Sequence, residues 1–398
     1  MRTDLGWSLD PEVTFLNHGS FGACPEAVLA VQREWRDRME RRPIQFLDRE
    51  LEGHLDASRR ALGTFLEADP TGFVFVPNAT TGVNAVLRSL RFEPGDELLT
   101  SDHEYNAILN TIRAVAARDG ARVVLATLPF PTTGEDEIVA AVHAAVTPRT
   151  RLLVLSHVTS PTALVLPIAR LVREFDARGI DTLIDGAHAP GMVPLDLHEL
   201  GAAYYAGNAH KWLCAPKGAG FLWVSEDRRD RIHPTIVSHG ANATRTDRPR
   251  YQLEFDWVGT ADPTPALTIP AAIDWVAHLD PGGWPAVMAV NHALALEARD
   301  RLVAAIGGPT PAPDGLIGSM VSVPLRGLST DAAAEALHLG LVDDGIEVPI
   351  VAWPVPGARP TPTDLPRAVL VRVSAQRYVE SRDIERLVAA LGRRLTAE

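Results

Sequence analysis

Lys211 lies in the word Asn208-Ala209-His210-Lys211-Trp212, directly after the apolar run Tyr204–Ala206. A lysine at the carboxyl end of a sheet strand sits where α/β folds bind ligands. Withdrawal from water there lowers its pKa and leaves a nucleophilic amine able to form an imine. Alone it would read as a solvated surface residue; its company changes that reading. Asp185 closes the run Thr182-Leu183-Ile184 and opens the word Asp185-Gly186-Ala187-His188. A carboxylate ending a buried strand is costly unless a cation or donors meet it. An imine-forming lysine together with such an acid points to pyridoxal phosphate, whose ring nitrogen needs an acidic partner to stay protonated and act as an electron sink. By itself Asp185 also fits a strand-end turn, and His188 a satisfied polar group. No zincin-type spacing surrounds His188, so no metal is expected.

Val76-Pro77-Asn78-Ala79-Thr80-Thr81-Gly82 reads as a turn between a strand and a helix. Small and hydroxyl residues there let N–H groups and hydroxyls approach a phosphate at the helix N-terminus, although a threonine serves equally as an N-cap. Neither a G-x-G-x-x-G after a strand nor a G-x-x-x-x-G-K-[ST] occurs, so dinucleotide and P-loop readings lack their signatures. Arg372 shares a face with Leu370 and Ser374 in the apolar run Val369–Ser374 by period-two alternation. A guanidinium in that setting wants an anion: a substrate carboxylate or a structural acid, equally on this residue alone.

The elements that must carry these residues alternate. Short apolar runs at Phe73–Val76, Glu97–Thr100, Arg122–Leu125, Leu152–Leu155, Thr182–Ile184, Tyr204–Ala206 and Phe221–Val224 are separated by amphipathic stretches at Val83–Leu90, Ala107–Arg118, Asp136–Val146 and Ile168–Arg178. That pattern predicts an α/β fold with a mostly parallel sheet covered on both faces. Two helices, Pro25–Arg42 and one carrying Leu51 to Leu66, precede it. Past Gly259 the texture changes: a proline- and threonine-rich stretch, Asp262–Pro270, leads to a long helix at Trp284–Ile306. Strands are then expected at Gly318–Leu325, Glu347–Val351 and Ala368–Ser374, with helices at Thr330–Leu341 and from Ser381, and a loop with five prolines at Pro354–Pro366. We divide the chain into an N-terminal segment 1–24 bordering the active site, a large cofactor-binding domain 25–260 and a smaller α+β domain 261–398.

The 398 residues carry 38 Lys and Arg against 50 Asp and Glu, a net charge of -12. So acidic a chain argues against nucleic acid, which needs a basic face. Cys24 and Cys214 are its only cysteines, too few for a disulfide framework or a four-cysteine zinc site and suited to a reducing cytoplasm. Met1–Glu12 has no apolar run of a signal peptide, and no stretch approaches the ~18 apolar residues of a membrane span. A cytoplasmic enzyme without membrane or nucleic-acid partners is expected.

Taken jointly, the words resemble the class V aminotransferase family of fold-type I pyridoxal phosphate enzymes over nearly the whole chain. The subgroup most similar holds isopenicillin N epimerases, plant-type cysteine desulfhydrases and C–S lyases. The supporting words are Leu16-Asn17-His18-Gly19-Ser20-Phe21-Gly22, Asn78-Ala79-Thr80-Thr81, Asp102-His103-Glu104-Tyr105, Ser156-His157-Val158-Thr159-Ser160 and the two words around Asp185 and Lys211. The resemblance implies that Lys211 holds the cofactor as an imine and Asp185 pairs with its ring nitrogen. It also implies that Thr80, Asn208 and His210 bind the phosphate, with backbone N–H groups from Ala79 and Thr80. Ser160 and His188 match contacts to the ring hydroxyl, and Tyr105, preferred over His103, matches the stacking group. Arg372 matches the substrate-carboxylate arginine, and Asn17 and His18 lie in the segment bordering the substrate mouth. Thr260, in Val258-Gly259-Thr260, matches a position reaching the phosphate of the neighbouring subunit, which implies a homodimer with shared active sites. Persulfide-forming desulfurases carry a cysteine shortly before the carboxylate arginine, and Asp343–Arg372 contains none. The Asn-Ala-Thr-Thr and Val-Thr-Ser words favour β-elimination from a cysteine-like substrate, with epimerisation next and transamination behind it.

Overall fold

The computed structural model describes residues 5–354 and 368–395. The chain opens with a two-residue strand β1 (Thr14–Phe15) and a single helical turn α1 (His18–Phe21), followed by helices α2 (Glu26–Arg41) and α3 (Leu51–Phe65). The alternating region then runs β2 (Phe73–Val76), α4 (Ala79–Ser89), β3 (Glu97–Ser101), α5 (Asn106–Asp119), β4 (Arg122–Ala126), α6 (Glu135–Ala144), β5 (Thr150–Ser156), α7 (Ile168–Asp176), β6 (Asp181–Gly186), α8 (Leu197–Leu200), β7 (Tyr204–Asn208) and β8 (Gly220–Val224). These strands form a seven-stranded sheet of order β2-β8-β7-β6-β5-β3-β4. All are parallel except β8, which runs against both of its neighbours.

Strands this apolar are buried from both sides because helices cover both faces. The side-chain alternation shows it directly. Leu152, Val154, Leu183 and Leu222 join one core under α4 and α5, whereas Leu153, Leu155, Ile184 and Phe221 join another that continues into α6, α7 and the C-terminal unit. With strand direction common to β2, β3, β5, β6 and β7, their carboxyl ends lie along one edge. Five loops therefore open side by side, bringing Asn78, Glu104, Ser156, Asp185 and Asn208 to that edge.

Beyond the sheet come α9 (Arg250–Asp256), α10 (Thr264–Leu267), α11 (Ile269–Ala277) and the long α12 (Gly283–Ile306). Within the stretch Asp262–Pro270, to which the sequence assigned no element, α10 and the start of α11 are helical, and Pro265 and Pro270 each occupy a first turn where no amide hydrogen is needed. The C-terminal unit adds β9 (Met320–Leu325), α13 (Asp331–Asp343), β10 (Ile346–Glu347), β11 (Ile350–Trp353), β12 (Ala368–Ser374) and α14 (Ser381–Leu395). Here one expected strand, Glu347–Val351, is two. Pro349 between them has no N–H to continue a ladder, so β10 pairs with β1 and β11 with β12. β12 lies between β11 and β9, antiparallel to both, with Arg372 opposite Ser322. Beyond Pro354, the expected proline-rich loop falls outside the described residues. No helix among the described residues is long and apolar enough to cross a membrane.

Candidate active site

The loops at the carboxyl edge, α1 and β12 enclose a cavity of about 600 Å³. Its phosphate-like end is built by the start of α4. Asn78 caps that helix, its Oδ1 accepting the Thr81 N–H at 2.9 Å. The Ala79 N–H, expected to face a phosphate, is instead donated to Asn208 Oδ1 at 2.8 Å, which ties the turn to β7. Gly220 lets β8 run against this turn: a Cβ there would lie 2.6 Å from Asn78 Cα. Ala79, Thr80, Thr81, Asn208 and His210 all line the cavity. The helix N-terminus contributes partial positive charge to that end. His210 keeps its Nδ1 on the Ala219 carbonyl at 2.9 Å, and burial lowers its pKa to about 4.

The opposite end is built on β6 and β7. Asp185 is buried and accepts the Ala187 N–H at 2.9 Å. Burial pushes its carboxyl up, while that hydrogen bond and the Lys211 charge pull it down. Lys211 stands just past β7 with Nζ 3.0 Å from His188 Nε2. Burial pulls the amine down to about 7; Asp185 opposes this and Arg372 adds to it. His188 is held well below the ordinary imidazole range by burial first, then by Lys211 and Arg372. A neutral imidazole accepting at Nε2 carries its hydrogen on Nδ1, and that buried atom has no partner among the described residues.

Arg372 reaches the cavity from β12. Its Nη1 donates to the Ser160 carbonyl at 2.6 Å and to Ser160 Oγ at 3.1 Å, and its Nη2 donates to Ser20 Oγ at 2.5 Å. Nε is buried without a partner among the described residues. Burial lowers this guanidinium to about 10. Among the described residues no carboxylate pairs with it, so of the two sequence readings the structural ion pair is not realised there.

Tyr105 lines the cavity and is 46% exposed. His103 does not: its ring is fully buried, with Nδ1 2.7 Å from Thr162 Oγ1 and the Trp353 ring edge-on at 4.8 Å. The expectation for His18 requires correction. This residue lies behind Lys211, fully buried, with Nε2 donating to the Lys211 carbonyl at 3.0 Å and Nδ1 2.7 Å from the Tyr378 hydroxyl. Burial pulls its pKa down to about 3, so it is a neutral strut. Successive residues of a helical turn point about 100° apart, and Gly19, Ser20 and Phe21 face the cavity in its place. Asn17 is half-buried and does not line the cavity either. Thr260 is exposed and away from this chain's own cavity wall.

Sequence reasoning assigned no role to Ser20, Glu104, Ser156 or Lys217. Ser156 lines the cavity and donates to the buried Glu104 Oε1 at 2.5 Å. Lys217 also lines it and donates to the Gly22 carbonyl at 2.6 Å, fastening the N-terminal segment. The first three sit inside words already singled out, which is the signal that could have found them.

This donor set fits pyridoxal phosphate. It offers an amine near neutrality, an acid facing it, a helix N-terminus for an anion, and two buried polar atoms, His188 Nδ1 and Arg372 Nε, with no protein partner among the described residues. Among the described residues no group of three or more histidines, cysteines and acids could hold a metal.

Comparison with known proteins bears on the same point. The model of the family described as aminotransferase class-V matches residues 22–387. Isopenicillin N epimerase from Amycolatopsis lactamdurans is 40% identical, with 96% of each chain covered. A probable chloroplastic L-cysteine desulfhydrase from Arabidopsis thaliana is 31% identical over 96% of this chain and 83% of its own length. In fold, the chain matches a lysine-to-alanine mutant of C-DES with glycine covalently linked to its pyridoxal phosphate cofactor, at a TM-score of 0.80 and 23% identity over 96% of this chain and 97% of that one.

Proposed function

Because the chain belongs to the aminotransferase class-V family, we propose that it removes the Cα proton of an amino acid and expels a β-substituent, acting as a C–S lyase on a cysteine-like substrate. The observation that carries the reading is a buried amine drawn down to about 7 in the same cavity as a buried guanidinium without a carboxylate partner among the described residues. Bound pyridoxal phosphate supplies an electron sink for the pair left on Cα. The chain's residues do the rest. Lys211 would hold the cofactor and, as a free amine, would take the Cα proton at Nζ. Asp185 would keep the ring nitrogen protonated, and His188 and Ser160 would serve the ring hydroxyl. The start of α4, with Thr80, Asn208 and His210, would receive the phosphate, and Tyr105 would lie against the ring. Arg372 takes the substrate carboxylate, oriented by Ser160 and Ser20.

Epimerisation is the second reading, favoured by the 40% identity to isopenicillin N epimerase against 31% to the desulfhydrase. It needs the proton returned from the other side of Cα, with the same base and the same sink. One experiment separates the two. The purified protein is incubated in D2O with L-cysteine, L-cystine and a panel of L- and D-amino acids, and pyruvate, sulfide, deuterium at Cα and optical rotation are followed. Pyruvate and sulfide support the lyase, and deuterated, racemised substrate without pyruvate supports the epimerase. Absence of both pyruvate and exchange at Cα with every amino acid would refute both.

On the same footing the working unit is a homodimer in which Thr260 reaches the partner's cofactor phosphate, a reading its exposure away from its own cavity supports. The proposed compartment is the cytoplasm, supported by two buried free cysteines; cell fractionation tests it. The division into 1–24, 25–260 and 261–398 is proposed likewise, with limited proteolysis near residue 260 as its check.

A further inference from the structure

We propose that Glu104 is a positioning residue of this site: as a neutral carboxylic acid it holds Ser156 and Tyr105 at the cavity and leaves the negative charge of the cavity floor to Asp185. The inference rests on the pyridoxal phosphate reading above, because the groups it positions are those that would meet the ring.

Glu104 follows β3 and is 1% exposed. Its Oε1 accepts two hydrogen bonds, from the Ser156 hydroxyl at 2.5 Å and from the Tyr105 N–H at 2.8 Å. Both donors belong to residues on the cavity wall. Ser156 is also the partner of Asp185 across the β5–β6 ladder, so the two carboxyl groups flank one serine. Oε2 is buried with no partner among the described residues.

Two buried carboxyl groups that feel each other's charge cannot both ionise easily. The titratable groups around them decide which keeps the proton. Burial raises Asp185 as well, but the Ala187 N–H and the Lys211 charge pull it back down. Lys211 is in turn engaged by His188. The charge that reaches Glu104 is that of Asp185, of like sign, and burial and that charge together raise its carboxyl to about 8. The proton therefore stays on Glu104. A protonated Glu104 accepts both bonds on Oε1 and carries its hydrogen on Oε2. With its hydrogen so engaged, the Ser156 hydroxyl keeps its lone pairs for the cavity, and the Tyr105 backbone is fixed at the start of α5.

The sign of the linkage gives the test. A carboxyl raised in the folded state above its ordinary value of about 4.3 binds its proton more tightly when folded, so its unfavourable effect on stability grows as pH rises to about 8 and then stops growing. Glu104→Gln has no proton to lose and keeps an acceptor for Ser156 and Tyr105. In the holoenzyme, the melting-temperature gap of E104Q over wild type should widen by about 4 °C between pH 5 and pH 8 and stay level above that. Its cofactor affinity should stay within about threefold of wild type, whereas Glu104→Ala, which releases both donors, should bind pyridoxal phosphate about tenfold more weakly and lose visible circular dichroism of the bound cofactor. A gap that is flat with pH, or an E104Q that loses cofactor dichroism as E104A does, would overturn the inference; should E104A fail to fold, the E104Q gap still decides. A wild-type protein that binds no pyridoxal phosphate would instead refute the reading on which the inference rests.

Discussion

Arg372→Ala should separate recognition of the substrate from possession of the cofactor. In the folded chain the guanidinium makes three hydrogen bonds, all to neutral oxygens of Ser160 and Ser20. Burial lowers it to about 10, so the fold bears an unneutralised cation. A substrate carboxylate would neutralise it, and removing one partner of such a charge-assisted pair typically forfeits ~2–5 kcal/mol. At ~1.4 kcal/mol per factor of ten, that is a loss of affinity of about 30-fold to several thousand-fold. The assay is a spectral titration of the holoenzyme with L-cysteine and with cysteamine, which lacks only the carboxylate. Wild type should prefer L-cysteine by at least that margin, and R372A should bind the two within a few-fold of each other with its own cofactor spectrum intact. The fold should not suffer, because the unfolded chain holds the Arg372 proton more tightly than the folded chain does; removal of the charge relieves that penalty at neutral pH. If R372A still prefers L-cysteine by more than tenfold, the carboxylate docks elsewhere and the argument from unpaired burial fails.

Borohydride reduction followed by peptide mapping should place the pyridoxyl label on Lys211, and a label on Lys217 instead would reassign the imine-forming amine. Asp185→Asn should keep the cofactor and lose most turnover, since an amide cannot hold the ring nitrogen protonated; unimpaired turnover would remove Asp185 from the ring. With Lys211 drawn down to about 7, kcat should fall as pH drops through about 7, because the protonated amine cannot act as a base. A kcat level down to pH 5 would exclude Lys211 as the base whose protonation limits the reaction. Inactive Lys211→Ala subunits exchanged with a severe Thr260 variant should regain activity if each site draws on two chains, whereas a monomer at full turnover would dismiss the shared site.

The sheet was legible because its signal is local. Each run of three or four mostly apolar residues between turn residues states its own strand, and seven of them recur as β2 to β8 with ends shifted by two residues or fewer. What failed depended on a partner. Glu347–Val351 reads as one strand by composition, yet Pro349 lets β10 and β11 belong to different sheets, and nothing local names the partner. The proline-rich approach to α11 was assigned no element for a related reason: proline breaks a helix interior but suits a first turn, and position within the turn is not visible in composition.

The candidate site shows the same division at finer grain. Lys211, Asp185 and Arg372 could be singled out because each sits at or just past a strand end or on a strand whose period is known, and Thr80 because it opens the helix that follows one. His18 and His103 lie where direction is set by a single turn. One residue along from His18, the chain presents Gly19 and Ser20 to the cavity, and past His103 it presents Tyr105. Both histidines are instead enclosed, one under Lys211 and one against Trp353. Glu104 is the strongest instance. By type it is a surface residue, and it becomes part of the site only because the neighbouring strands β5 and β6 bring Ser156 and Asp185 beside it. A charge can be recognised in sequence, but whether it is neutralised, shared or protonated is decided by which strand lies next to it.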